Sequence, residues 1–114
     1  MSNHYIPSKW IIIEISSAED SVRKVFATWY GGYLDGDSWR LSSGITKVED
    51  KGDYYLFHNE SGSIYQCYKG YYGTNSYSYG ILMNFVEKAR ESMNITIVEE
   101  YGEQKSERTY RAGR

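Results

Sequence analysis

The sequence predicts an α+β fold: an antiparallel meander sheet of five to six strands carrying one amphipathic helix. Three observations carry that expectation. Short β-branched and aromatic runs recur at spacings of roughly 8–12 residues between turn-forming clusters. The apolar period then switches from two to 3.6 after Asn75. Tyr, Trp and Phe make up 17% of the chain, with thirteen Tyr, three Trp and three Phe, and such residues favour strands.

Taken in order, Trp10 to Ile15 is apolar on both parities, as a strand covered on both faces requires. Val22 to Tyr30 alternates, with Val25, Ala27 and Trp29 on one side and Lys24, Phe26 and Thr28 on the other. A hairpin between these two runs is the simplest pairing. Gly31 to Asp37 reads as a flexible loop. Ser38 to Glu49 reads as one strand with a bulge or bend at Gly44, because Val48 breaks the parity of Trp39, Leu41 and Ile45. Tyr54 to His58 and Ser63 to Lys69 complete the meander. Leu82, Phe85, Val86, Ala89 and Met93 then form one helical stripe, on a helix of about five turns. Ser76 or Ser78 is the expected N-cap, and Asn94 the expected left-handed stop. Ile95 to Val98 is a sixth strand.

A chain of 114 residues suits one domain: residues 1–101 form it, followed by a basic, mobile tail over 102–114. That tail carries Lys105, Arg108, Arg111 and Arg114 against Glu103 and Glu107, a net +2, while the whole chain has a formal charge of -2. An acidic total argues against nucleic acid as a partner. No signal peptide and no apolar run of membrane-spanning length is visible, so a cytoplasmic protein is expected.

Chemistry-bearing motifs are few. His4, His58 and the single Cys67 stand at no metal-ligand spacing, and Cys67, in mid-strand, reads as a core residue. No metal and no cofactor is expected. Ser61-Gly-Ser63 lies between two strands rather than at a strand-to-helix elbow. Gly70-Tyr-Tyr-Gly73 lacks the flanking helices of an RNA-clamping loop. The chain is therefore read as a binding protein rather than an enzyme.

The aromatics leave two readings open for each ring, core or contact surface. Trp29, Tyr30, Tyr33 and Trp39 flank the glycine-rich loop, and Tyr71, Tyr72, Tyr77 and Tyr79 crowd the helix entrance. A stacked base gains roughly 1–3 kcal/mol on such a ring, and arginine supplies bidentate bonds to phosphate. On that chemistry the candidate ligand-binding residues are Arg23, Trp39, Arg40, Tyr79, Asn84, Arg108 and Arg111. Asn84 enters as an amide able to read a purine edge, with a solvated helix position as its alternative. A wide sheet with one helix leaves a ring-bearing face bare, so a homo-oligomer, dimer or larger, is expected.

The stretches Lys24 to Tyr33, Gly36 to Ile45, Tyr54 to His58 and Ser61 to Tyr65 give the chain, over about residues 9–85, the texture of small phage and prophage proteins. It resembles the first described Thoeris anti-defence family, phage sponges that sequester cyclic ADP-ribose signals. The resemblance implies an oligomeric antiparallel-sheet protein that binds a cyclic signalling nucleotide through rings and arginines, without cleaving it, in the cytoplasm of an infected or lysogenic host. The alternative is an anti-CRISPR-like inhibitor that meets a host protein through its aromatic surface. A small nucleotide-processing enzyme is a third reading.

Overall fold

A computed structural model of the chain describes residues 3–31, 36–89, 93–98, 101 and 109–111, the last three as backbone only. In chain order its elements are β1 (His4–Tyr5), β2 (Lys9–Ser16), β3 (Ser21–Trp29), β4 (Ser38–Leu41), β5 (Ile45–Asp50), β6 (Tyr54–Asn59), β7 (Ile64–Tyr68), a 3-10 turn (Lys69–Tyr71), α1 (Ser76–Ala89), β8 (Asn94–Val98) and β9 (Thr109–Arg111). The fold is α+β with one α-helix among the described residues, as the sequence predicts. The single meander of five to six strands is not what forms. Eight strands and the short β9 divide into two sheets, with orders β4-β3-β2-β8-β9 and β1-β7-β6-β5.

The division happens at the residue where a bend was expected. The predicted strand from Ser38 to Glu49 is two strands, broken at Ser42, Ser43 and Gly44, and the chain passes there from one sheet to the other. Bends of this kind make the corners of crossed-sheet packings. Ser42 is buried and exchanges two hydrogen bonds with Val25, its Oγ accepting the Val25 N–H at 2.8 Å and its N–H donating to the Val25 carbonyl at 2.9 Å. Gly44 has no room for a side chain: a Cβ there would lie 2.7 Å from Val22 Cγ2 and 2.9 Å from Glu60 Oε2. A β-bulge between Ile45 and Lys47 finishes the turn into β5.

The β2–β3 hairpin forms in the expected register, with Ile12 opposite Val25 and Ile11 opposite Phe26. Both parities of β2 are covered, Trp10, Ile11, Ile12 and Ile13 each being 4% exposed or less. Trp10, Ile12, Val25 and Ala27 face Tyr55, Phe57, Tyr65 and Cys67 of the second sheet. Ile11, Ile13, Phe26 and Ile95 face Leu82 of the helix and its apolar neighbours. The ring-bearing face that the sequence reading assigned to a second copy is thus covered by the chain's own second sheet. Cys67 is fully buried in that inter-sheet layer, and burial pushes its thiol far above the ordinary range.

Two local expectations are corrected. The N-cap of α1 is Asn75, whose Oδ1 accepts the Ser78 N–H at 2.8 Å, while Ser78 Oγ accepts the Asn75 N–H at 3.1 Å. This is the reciprocal pairing of a capping box. The helix is described over Ser76–Ala89, and the Met93 N–H donates to the Ala89 carbonyl at 2.9 Å, with Met93 lining the same hollow as Phe85 and Ala89. Asn94 opens β8 in extended backbone, and no described residue other than glycine has a positive φ. Two strands carried no signal in the sequence. β1 pairs with β7 in parallel, His4 opposite Ile64, and β9 pairs with β8, Thr96 opposite Arg111. Apart from β9, residues 102–114 lie outside the described residues.

Candidate functional site

Down the inner face of the β2–β3 hairpin, Ile12 and Val25 are buried against the second sheet, and the next inward pair is Glu14 with Arg23. Arg23 Nε donates to Glu14 Oε1 at 3.1 Å, and both side chains keep a third or more of their surface in water. The apolar inter-sheet layer ends at this charged pair. Beyond it the layers separate and leave a groove of about 450 Å³ between the start of β3 and β5. Arg23 lines it from the first sheet and the Ile45 to Val48 segment of β5 from the second, Glu60 adds a carboxylate, and Val48 and Tyr101 supply apolar surface. Tyr101 is fixed by ring contacts to Trp10, Tyr55 and Phe57 at 5.2–5.9 Å.

On the outer face of the second sheet, charge is organised by Glu49. It meets Lys51 at 3.0 Å, Lys47 at 3.4 Å and His58 Nε2 at 2.9 Å. Hydrogen bonds from Lys51 and then His58 hold its carboxyl down at about 2. Lys47 remains 65% exposed despite this contact, and its position opposite His58, next to the inward pair of Val48 and Phe57, puts it on the outer face.

The structure distributes the predicted ligand residues over both faces of the first sheet. Arg23 lines the groove. Arg40 shares its sheet face but stands opposite Ala27, four residues along β3 and about 13 Å away. There its guanidinium lies 4.7 Å from the centre of the Tyr5 ring, which touches Trp29 and Tyr65. Trp39, Tyr79 and Asn84 are on the helix side. Trp39 stacks on Phe26 at 5.9 Å and meets Phe85 at 5.2 Å; Asn84 is exposed on α1. Tyr79 is 53% exposed and borders a smaller hollow of about 230 Å³ at the helix entrance. Arg111 occupies the backbone row that runs Arg23, Glu14, Thr96, Arg111 across four strands. Arg108 lies outside the described residues.

The segments that carry the two ring clusters singled out in the sequence are tied at one point, and Tyr33 lies outside the described residues. Asn75 Nδ2 donates to Asp37 Oδ2 at 2.9 Å, tying the β3–β4 connection to the start of α1. Tyr30, Tyr71, Tyr77 and Tyr79 are all 40% exposed or more. Val48, Glu60 and Tyr101 were missed as groove residues. Val48 and Glu60 reach it only because the chain changes sheets at Gly44, and Tyr101 only because β8 returns beside β2; neither event leaves a local motif.

No three of the described His, Cys, Asp or Glu side chains are grouped to hold a metal ion. No helix of the described residues is long and apolar enough to cross a membrane. No family model, no curated protein and no solved structure matches this chain.

Proposed function

We propose that this protein binds and sequesters a small phosphorylated ring compound of the cyclic ADP-ribose type, without cleaving it, in the service of phage anti-defence. The observation that carries the reading is the groove: a concavity of about 450 Å³ between the two sheets, with Arg23 on one wall and Val48 and Tyr101 as apolar walls. That volume falls in the range of roughly 300–1,000 Å³ typical of small-molecule sites. Arg23 holds Glu14 through Nε, so its terminal nitrogens are the natural partners of a phosphate. Tyr101 and Val48 offer a base a flat, partly apolar bed, and Glu60 can accept a bond from an amino or hydroxyl group. β9, with Arg111 in the Arg23 row, supplies the nearest part of the basic tail.

The test is a depletion assay. Purified protein incubated with cyclic ADP-ribose is expected to lower the free ligand stoichiometrically and to return it intact on heating. Arg23→Ala is expected to weaken binding by about tenfold or more, the loss of one charge-assisted bond, and Lys47→Ala, on the outer face, to change it little. Absence of depletion overturns the reading, and return of a cleaved product replaces it with an enzyme.

A second reading rests on the exposed rings Tyr30, Tyr71, Tyr77 and Tyr79 of the two tied segments. Aromatic clusters of this kind serve as hot spots in protein–protein contacts. Such a patch suits a host defence protein or a further copy of this chain. Light scattering on wild type and on Tyr71→Ser with Tyr79→Ser separates self-association from binding to a foreign partner.

A further inference from the structure

We propose a second ligand site at the entrance of α1, for a planar aromatic ring bearing one negative charge. It lies on the opposite face of the first sheet from the groove and does not depend on the nucleotide reading.

The site exists because two paired strands part. β2 and β8 pair from Ser16 with Asn94 to Ile13 with Ile97. At the next step the hydroxyl of Tyr72 stands between them, accepting the Ile12 N–H at 3.2 Å and donating to the Val98 carbonyl. One residue on, the Gly73 N–H donates to the Trp10 carbonyl at 2.8 Å. The seam is therefore open while these polar groups at its split are paired. What remains is a hollow of about 230 Å³ with a floor of Ile11, Leu82, Ile97 and Val98. A floor without unpaired polar atoms holds water poorly and favours an apolar occupant.

The lip determines which occupant. Tyr79 borders the hollow with a half-exposed ring, a face for a flat partner. The Lys9 side chain lies over Gly73, whose added Cβ would come 3.7 Å from Lys9 Nζ. Lys9 makes no ion pair with any described residue, so its ammonium is the charge that an acid group would meet. The hollow is smaller than the roughly 300 Å³ at which drug-sized sites begin. A single ring with a carboxylate fits these dimensions and this chemistry.

The probe is benzoate, followed by amide NMR shifts, with benzyl alcohol and cyclohexanecarboxylate as the neutral and the non-planar controls. Saturable benzoate shifts are expected at Gly73, Thr74 and Tyr79, with both controls weaker. Lys9→Gln and Tyr79→Ala are each expected to weaken benzoate about fivefold, the scale of one exposed charge or ring contact. Both positions are at the surface, and the same spectra report whether each variant is folded. No saturable shift at these amides up to about 10 mM, below the weak end of specific binding, overturns the site; so does benzoate binding unchanged by Lys9→Gln. Arg23→Ala is expected to leave benzoate affinity unchanged, which keeps this result separate from the groove.

Discussion

On one face of the first sheet Trp10, Ile12, Val25 and Ala27 meet the rings of Tyr55, Phe57 and Tyr65; on the other, Ile11, Ile13 and Phe26 meet Leu82 and the apolar stripe of α1. The first interface is locked by direction as well as by area. Trp10 makes ring contacts with Tyr55, Phe57, Tyr72 and Tyr101 at 4.6–6.1 Å, and its Nε1 donates to the Tyr68 carbonyl at 2.7 Å. The helix interface is mostly aliphatic and leaves a hollow at each end, about 230 Å³ at the helix entrance and about 260 Å³ near Ala89 and Met93. Interlocked rings fix one geometry between two layers, whereas a helix laid on aliphatic side chains tolerates gaps.

This contrast orders the expected effects of substitution. Trp10→Ala is expected to lose about 3–5 kcal/mol of stability in urea unfolding, since it removes a fully buried ring and a partly buried hydrogen bond. Leu82→Ala, equally buried, is expected to lose about 2–3 kcal/mol, near the lower end for such a truncation, because it adjoins an existing hollow. Equal losses at the two positions would break the comparison. Gly44→Ala is expected to lose about 1–3 kcal/mol through crowding against Val22 at the corner between layers. Tyr72→Phe leaves the Ile12 N–H and the Val98 carbonyl without their shared partner and is expected to lose about 1–3 kcal/mol. It is also expected to speed hydrogen exchange at Ile12.

Titration gives the smallest effects and separates core from surface. Burial is the main cause that raises the Tyr65 phenol to about 12. The unfolded phenol ionises near its ordinary value of 10.0, so this contribution is complete below that pH and is lost as pH climbs toward 12. Tyr65→Phe is expected to flatten alkaline unfolding. Glu49 runs the other way: held at about 2 against an ordinary value of 4.5, it contributes above 4.5 and ceases to as pH falls toward 2. Glu49→Gln is expected to shift the acid-unfolding midpoint upward slightly, and an unchanged midpoint would mean the surface cluster contributes nothing.

How much of this was legible follows from the range of the interactions. The β2–β3 hairpin, its face assignment and the helix stripe from Leu82 to Ala89 are local patterns, and the residues gave them directly. The bend at Gly44 was legible as broken parity. Its meaning was not, because a change of sheet is decided by how Val22 and Glu60 crowd that backbone from elsewhere in the chain. Arg23 was nominated for its chemistry and does stand in the groove. Arg40, equal to it in chemistry, faces a tyrosine ring at the far end of β3. Residue type proposes candidates, and only strand register separates them.

The corner at Gly44 also bears on how the molecule assembles. On either side of it lie two three-stranded units, β2-β3-β4 and β5-β6-β7, each closed by neighbours in sequence. What joins and completes them is remote along the chain: His4 with Ile64, Ile13 with Ile97, and the Trp10 cluster across the layers. Remote pairings form slowly because the intervening chain must first be confined. The two units are therefore expected to collapse early and independently, with docking as the rate-limiting event, so that Trp10 substitutions register in refolding speed as well as in final stability.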